Sequence, residues 1–289
     1  MTANDPARLE LDRAVVARAF PRLAFETFEP VGGGWTSATY LVDGEWIVQV
    51  PVSDRAEERL LLQMEILPEL AHDVSGAVPV PELASTDPVA MGYRRIDGVS
   101  FTEVGDEGVW PERLGRFLYD LHMVPPEFVG MRAVTPEQVR DEQRAEFARL
   151  EAKVFPLLDE GERAHFAARF DGYLHDDANW RFAPCVTHGD LGPDHILVTP
   201  TGNLAGVIDW EEVGMGDPVG DFAWMLHAAP GPGERALAAY GGAPDPRFRD
   251  RARVRFVLMP WHEVEYGLDT GKAEFVESGL AGVRERADA

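Results

Sequence analysis

Two carboxylates and an imidazole stand close together around one predicted hairpin. Residues 188–190 read His-Gly-Asp, His195 follows five positions after Asp190, and Asp209 ends the second of two short apolar runs. The turn-forming segment 199–203 separates these runs, which is the local pattern of an antiparallel hairpin. His195 and Asp209 then fall opposite each other beside Asp190, and such donors can hold a divalent metal on nucleotide phosphates. The pattern predicts phosphoryl transfer, with Asp190 accepting the proton of a substrate hydroxyl.

A sheet is predicted ahead of these groups. The segment before position 50 alternates apolar and polar residues, and it contains Asp43-Gly44, a pair favoured in tight hairpins because it tolerates positive φ. We expect this hairpin to place Ala38 opposite Gln49, beneath the glycine-rich loop 32–37.

A helix is predicted next, with Asp54 and Glu57 as its N-terminal capping pair. From Trp110 onward the spacing is mainly helical, apart from the catalytic hairpin. The Gly- and Pro-rich segment 230–246 is expected to be a surface connection. The sequence therefore predicts an α+β chain with a small antiparallel sheet lobe carrying one helix, followed by a larger, mainly helical lobe. The predicted lobes are 1–96 and 97–289.

The composition limits the partners. With 27 basic and 50 acidic residues the formal charge is −23, which argues against nucleic acid and anionic membrane surfaces and suits a cationic small molecule. The alternative is that the acidic surface only maintains solubility. Cys185 is the single cysteine, so an intrachain disulfide and a cysteine-type zinc site are excluded. Since neither a signal peptide nor a membrane span is recognisable, we expect a cytoplasmic protein. We also expect a monomer or weak dimer.

The motif at 188–195 and the aspartate at 209 resemble the catalytic loop and metal aspartate of the aminoglycoside phosphotransferase family. These are small-molecule kinases with a protein-kinase-like fold, and the resemblance covers most of the chain. It implies Asp190 as the catalytic base, Asp209 and His195 at magnesium (Mg²⁺), and ATP or GTP as co-substrate. His188, Asp217 and Asp221 would support the loop. The residues that the resemblance places at the nucleotide are Gly34, Thr36, Ser37, Gln49, Glu65, Arg94 and Ile96.

The sequence departs from the family pattern at two of these positions. His195 stands where an asparagine is usual, and hard magnesium prefers oxygen ligands. Gln49 stands where a lysine or arginine would pair with Glu65 and hold the phosphates. The loss of charge assistance is expected to cost about 1.5 to 3 kcal/mol, unless Arg55 or Arg59 supplies the missing cation.

The acceptor substrate is expected to bind at carboxylates interleaved with aromatic residues, which suit ammonium groups on a sugar ring. The alternative is a solvated helix face with core aromatics. The predicted acceptor residues are Glu211, Glu212, Trp261, Glu263 and Glu265.

The resulting hypothesis is a kinase that moves the γ-phosphate of ATP or GTP to a hydroxyl of an aminoglycoside or related antibiotic. A macrolide or peptide antibiotic is the nearest alternative acceptor. Gln49 and His195 also leave open a non-catalytic nucleotide-binding pseudokinase scaffold. A metallohydrolase built on His188, Asp190, His195 and Asp209 is a third hypothesis, and it would leave the glycine-rich loop without a purpose.

Overall fold

The computed structural model describes residues 6–31 and 37–288. The first part of the chain contains a sheet and two helices. Its strands are β1 (Phe28–Pro30), β2 (Ser37–Val42), β3 (Trp46–Pro51), β4 (Leu83–Thr86) and β5 (Val89–Arg94), and its helices are α1 (Pro6–Ala19) and α2 (Asp54–Asp73). The strands pair antiparallel in the order β1-β2-β3-β5-β4.

The two faces of this sheet pack against different neighbours. Val48 of β3 belongs to a core shared with Val16 of α1. Ile47 packs instead against a second core that contains Leu60 of α2. Because successive residues of a strand alternate between faces, Gln49 shares the face of Ile47.

The Asp43-Gly44 hairpin forms as predicted, but its register is shifted by one residue. Asp43 and Gly44 adopt φ angles of 49° and 71°, and a third residue also belongs to the connection. Thr39, not Ala38, therefore pairs with Gln49. The turn pair was recognisable from the sequence, whereas the length of the connection was not.

The N-cap of α2 lies one residue before the predicted cap. The Ser53 hydroxyl accepts the backbone N–H of Ala56 at 3.2 Å and is the true N-cap. Asp54 and Glu57 lie in the first turn, where negative charge suits the helix dipole.

The rest of the chain is mainly helical, with two small antiparallel sheets. Its helices are α3 (Phe101–Val104), α4 (Trp110–Met123), α5 (Pro136–Val154), α6 (Glu160–His175), α7 (Gly220–Ala228), α8 (Pro230–Ala239), α9 (Phe248–Thr270) and α10 (Ala273–Glu285). Its strands are β6 (Val99–Ser100), β7 (Cys185–Thr187), β8 (Ile196–Val198), β9 (Leu204–Val207) and β10 (Gly214–Gly216). Strands β6, β8 and β9 form one sheet, and β7 pairs with β10.

The expectation of a surface connection at 230–246 is wrong for its first ten residues, which form α8. A Cβ on Gly233 would lie 2.6 Å from the carbonyl oxygen of Met225, and one on Gly115 would overlap that of Ala236. At both positions glycine allows two helices to pack closely; it does not form a turn.

The predicted catalytic hairpin is formed by β8 and β9. Gly202 takes a φ of 76° in its turn, and the Ile208 N–H donates to the His195 carbonyl at 2.9 Å. His195 and Asp209 therefore leave the hairpin at the same end. In the described ranges, none of the helices is both long and apolar enough to cross a membrane.

Candidate active site

Asp190 lies on the exposed loop between β7 and β8. Gly189 before it adopts a φ of 87°, a conformation that favours glycine. A Cβ at this position would also overlap the carbonyl oxygen of Glu212. The loop is thus packed directly against the segment that follows Asp209, and it presents the Asp190 side chain to solvent.

His188 lies beneath this loop with no exposed surface. Its Nε2 donates to the Ile208 carbonyl at 3.0 Å, and its Nδ1 accepts the Asp190 N–H at 3.3 Å. Burial lowers the pKa of the imidazole, in keeping with the neutral tautomer that these two bonds require. His188 therefore ties the Asp190 loop to the end of the hairpin and does not face a substrate.

A buried carboxylate holds the same loop from below. Asp221, near the start of α7, accepts the backbone N–H groups of His188 and Gly189 at 2.9 and 3.0 Å. His122 at the end of α4 contributes a third bond, from Nε2 to Asp221 at 3.0 Å, and its Nδ1 lies 2.9 Å from the hydroxyl of Tyr240. The hydrogen bonds lower the pKa of Asp221 in spite of its burial, so the loop rests on a charged acceptor.

His195 joins the Asp190 loop to Asp209. Its Nδ1 donates to the Asp190 carbonyl oxygen at 2.6 Å, and its Nε2 lies 3.2 Å from Asp209 Oδ2. Burial opposes the positive charge, but the bond to Asp209 outweighs it and raises the pKa of His195 to about 9. At neutral pH the ring is therefore an imidazolium with both nitrogens engaged. Direct metal ligation by His195 stays a prediction, and it would require release of Asp209.

Asp209 is the candidate carboxylate ligand for a magnesium ion shared with a nucleotide. Across residues 6–31 and 37–288, no group of three or more His, Cys, Asp or Glu side chains could enclose a metal. Magnesium commonly takes only one or two protein carboxylates and completes its shell with phosphate oxygens and water. Asp209 is such a carboxylate, presented from a backbone with a φ of 68°.

Glu211 and Glu212 are two further acidic side chains that follow Asp209. Burial, together with the neighbouring charge of Asp209, raises the pKa of Glu211 to about 8. Glu212 is half-exposed and pairs with Arg55 at 3.4 Å and Arg59 at 3.3 Å. Both arginines that were considered as replacement cations are thus bound to a carboxylate, and this contact links α2 to the segment after Asp209.

The face of the sheet that carries Gln49 packs toward α2. Tyr93 of β5 shares this face, and the Asp209 charge adds to the effect of burial in raising the pKa of its phenol. Gln49 is 8% exposed, and its Oε1 has no hydrogen-bond partner among the described residues. Ser37 is also buried, at the start of β2. Gly34 and Thr36 lie outside the described residues.

Glu65 is exposed on α2, which corrects its assignment to the nucleotide site. The buried stripe of the helix includes Ala56, Leu60, Gln63 and Leu67, with helical spacing. Gln63, two positions away, is the polar residue that α2 turns inward. The spacing of the apolar residues already identifies this face in the sequence.

The predicted hinge residues occupy the end of β5 and the segment after it. The Arg94 guanidinium is exposed, stacks over the Trp46 ring at 3.8 Å and pairs with Glu45 at 2.8 Å. Ile96 is half-buried and close to the Cα of Gly206. Their contact with a purine stays a prediction.

The acceptor residues predicted on α9 are engaged elsewhere. Trp261 is fully buried in the core between α5, α6 and α9. Glu265 pairs with Arg149 and with Lys153, and Glu263 accepts the hydroxyl of Ser278. This face of α9 binds neighbouring helices, which corrects the assignment of the three residues to substrate.

Asp217 is buried and has a partner that the sequence did not reveal. Arg251 on α9 donates to it through Nε at 2.6 Å and Nη2 at 3.1 Å. The same guanidinium binds Asp245 with two further bonds. Asp217 therefore anchors the segment before α7 to α9.

Comparison with known proteins agrees with this geometry. The model of the phosphotransferase enzyme family matches residues 27–257. Viomycin phosphotransferase of Streptomyces vinaceus is 31% identical over 160 residues, which cover 53% of this chain and 54% of that protein. The chain thus spans about half the length of this curated relative.

Two solved structures cover nearly the whole chain. The GDP and kanamycin complex of APH(2")-IIIa has a TM-score of 0.84 at 22% identity, over 96% of this chain and 98% of that one. Macrolide 2'-phosphotransferase MphH of Brachybacterium faecium has a TM-score of 0.74 at 26% identity, also over 96% and 98%. The protein-kinase-like α+β fold predicted from the sequence is confirmed. Because the family model covers most of its length, this chain belongs to the phosphotransferase enzyme family.

Proposed function

We propose that this protein transfers the γ-phosphate of ATP or GTP to a hydroxyl of a small-molecule antibiotic. The observation that carries the proposal is the position of His195, which binds the Asp190 backbone with one nitrogen and the Asp209 carboxylate with the other. A base and a metal carboxylate are thereby held in one unit. Such positioning, rather than covalent chemistry, is most of what phosphoryl transfer requires from a protein.

Each residue has a distinct role in this proposal. Asp190, which is exposed and which the described residues hold through its backbone, accepts the proton of the acceptor hydroxyl. Asp209 holds magnesium, which when bound would neutralise charge on the β- and γ-phosphates. Asp221 and His188 fix the loop from below, so that Asp190 does not move when the acceptor binds.

An aminoglycoside or related cationic antibiotic is the proposed acceptor. The Asp190 and Asp209 carboxylates lie where the hydroxyl must approach, and the net charge of −23 attracts cations. The APH(2")-IIIa complex contains kanamycin together with GDP, so GTP is tested beside ATP. The proposal also divides the chain into a sheet lobe at 1–96 and a catalytic lobe at 97–289. We further propose that the protein is a monomer or weak dimer and is cytoplasmic.

A cyclic peptide antibiotic is the second candidate acceptor. The observation that favours it is the 31% identity to viomycin phosphotransferase. A macrolide follows, because the MphH structure has the same fold.

The experiment is a coupled phosphate-transfer screen of aminoglycosides, viomycin-type peptides and macrolides, with ATP and GTP in parallel. We expect transfer to at least one acceptor and a loss of about 10² to 10⁴ in kcat for Asp190→Asn. Asp194→Asn, an exposed aspartate on the same loop, is the matched control and should retain activity. Nucleotide binding without turnover across the panel would favour the scaffold, and full activity of Asp190→Asn would overturn the role of the base.

A further inference from the structure

One carboxylate joins the start of α2 to the segment after Asp209. Arg55 and Arg59 lie one helical turn apart, and each binds a different oxygen of Glu212, at 3.4 and 3.3 Å. The side chains of Arg59 and Glu212 are 31% and 36% exposed, and that of Arg55 is mostly exposed. Ion pairs with this exposure add little to the stability of a folded protein. Their importance therefore depends on what they connect.

The Glu212 end of this contact is fixed to the loop that carries Asp190. A Cβ added to Gly189 would overlap the Glu212 carbonyl oxygen and lie 3.3 Å from the Glu212 Cβ. The residues on either side of the turn are buried: Trp210 has no exposed surface, and Val213 is 1% exposed. The Trp210 Nε1 also donates to a backbone carbonyl of β9 at 2.9 Å. Glu212 and the Asp190 loop therefore form one packed unit.

The opposite end of α2 is held by contacts of another kind. Ser75, which follows the helix, donates its backbone N–H to Asp120 of α4 at 3.0 Å. A Cβ added to Gly76 would lie 2.9 Å from the Phe117 ring, so this connection is closely packed. Helix α2 also contacts α4 and the short helical segment Pro126–Val129. This end of α2 is fixed, whereas its start is held by the two arginines.

Pro68 interrupts α2 between these two ends. Its ring nitrogen cannot donate to the carbonyl of Met64, so one hydrogen bond of the helix is missing. Helices bend most readily at such a position. Arg55 lies about 20 Å along the helix from Pro68, so a bend of about 10° would move it by about 3 Å, which is enough to break the pair with Glu212.

The start of α2 moves together with one edge of the sheet. The Ser53 cap follows Pro51, the last residue of β3, by two positions. Pro51 pairs with Ser37 at the start of β2, and α2 packs against β3 and β5. Ser37 and Gln49 are residues through which we expect this sheet to contact the nucleotide. A displacement at the start of α2 therefore also displaces the edge of the sheet that faces the nucleotide.

We propose that Glu212 is a positioning residue. By binding Arg55 and Arg59 it holds the start of α2, and with it the nucleotide edge of the sheet, at a fixed distance from the Asp190 loop. This inference rests on the proposed function. Because the contact is ionic and partly exposed, it breaks at little cost when nucleotide enters or leaves, and it forms again around the bound nucleotide.

The first test measures the dissociation rate of methylanthraniloyl-labelled MgADP and MgGDP by stopped-flow fluorescence. The proteins are the wild type, Glu212→Gln, Arg55→Gln/Arg59→Gln and the variant that combines all three changes. We expect each of the first two variants to release nucleotide at least about twofold faster than wild type, and the combined variant to show no further rise. A rise below twofold for Glu212→Gln, or effects that multiply in the combined variant, overturn the proposal.

Two other roles for these residues would give different results. If the arginines left Glu212 to bind the phosphates, Glu212→Gln would release them and slow nucleotide dissociation. If Glu212 bound the acceptor, Glu212→Gln would raise the KM of the acceptor found in the transfer screen and leave nucleotide dissociation unchanged. Either result overturns the proposal.

The matched control is Glu112→Gln. The Glu112 side chain is 37% exposed and binds Arg235 at 2.8 Å, but this ion pair joins α4 to α8. Its loss should leave nucleotide dissociation within about twofold of wild type. A rise in the control as large as that of Glu212→Gln would assign both effects to general loosening of the structure and would overturn the proposal.

The second test reverses the charges. Glu212→Arg places three cations together, so we expect faster nucleotide dissociation than in Glu212→Gln. Adding Arg55→Glu and Arg59→Glu restores opposite charges across the contact, and the rate should fall below that of Glu212→Gln. A rate at or above that of Glu212→Gln overturns the proposal. If the wild type transfers phosphate but these variants release nucleotide as it does, only the positioning role fails; if the wild type binds neither nucleotide, the proposed function fails with it.

Discussion

The carboxylate of Asp221 accepts the backbone N–H of Gly189, the residue before the proposed base, at 3.0 Å. The N–H of His188 and the ring of His122 bind the same carboxylate. Asp221 is 1% exposed, so water does not compete for these bonds. The position of Asp190 is thus set by a side chain on α7 that never meets the substrate.

Asp221→Asn should therefore impair both folding and catalysis. The amide keeps one acceptor oxygen but turns an NH₂ group toward a backbone N–H, and the charge that strengthened all three bonds is lost. We expect the free energy of unfolding to fall by about 2 to 4 kcal/mol and kcat to fall at least tenfold. Urea unfolding and steady-state kinetics measure the two effects. Asp250→Asn on α9, which removes the charge of an exposed ion pair with Arg247, is the control. Equal stability of the two variants would contradict the buried role of Asp221.

The His195–Asp209 pair predicts how stability depends on pH. The folded-state pKa of His195 is about 9, above the unfolded value of about 6.5. Its contribution is therefore fully present below pH 6.5 and is lost as the pH rises through 9. We expect the free energy of unfolding of wild type to fall by about 3 kcal/mol between pH 6.5 and 9.5 relative to His195→Asn.

Glu211 must be controlled in this measurement. Its folded-state pKa of about 8 is also raised, so it too reduces stability as the pH rises. The comparison is therefore made in a Glu211→Gln background, by urea unfolding at both pH values in metal-free buffer. A pH slope that is the same with and without His195 would show that the ring is not charged by Asp209.

The sequence predicted those parts of the structure that depend on local pattern. The turn pair Asp43-Gly44 and the hairpin that carries His195 and Asp209 follow from turn chemistry and short-range spacing. Family resemblance supplied the order of the elements.

The wrong predictions concern residues whose surroundings depend on packing between segments that are distant in the sequence. Glu65 was chosen by residue type, whereas the rotation of α2 against the sheet buries Gln63 instead. Trp261 and Glu265 were read as a binding pattern, yet α5 and α6 cover the Trp261 ring and α5 supplies the cations for Glu265. The buried face of α2 follows from the spacing of its apolar residues, whereas the partners of Trp261 and Glu265 cannot be inferred before α5 and α6 are placed.

The charged contact between α5 and α9 should be important for stability. Glu146 is largely buried and binds Arg255 at 2.7 Å and His262 at 2.9 Å. Glu146→Gln leaves the arginine without its counter-charge, so we expect a loss of about 2 to 4 kcal/mol in the free energy of unfolding. Glu234→Gln removes an exposed pair with Arg249 and should cost less than 1 kcal/mol. Urea unfolding of both variants measures the two losses of stability. Equal losses would contradict the expectation that the buried ion pair of Glu146 contributes more than the exposed ion pair of Glu234.

Gly189→Ala should strongly reduce activity, because two independent constraints act at this position. The φ of 87° is strained for alanine, and the added Cβ would overlap the carbonyl oxygen of Glu212. Relief requires that the Asp190 loop move away from the segment after Asp209, which separates the base from the metal carboxylate. We expect a fall in kcat of about 10² or more, measured by the coupled assay at saturating nucleotide.

Gly172→Ala is the matched control. Gly172 is exposed in α6, and nothing lies within 4 Å of the new Cβ. This variant should therefore gain about 0.5 to 1 kcal/mol of stability and retain full activity. Activity in Gly189→Ala near that of Gly172→Ala would show that the loop tolerates displacement and that its contact with Glu212 does not position Asp190.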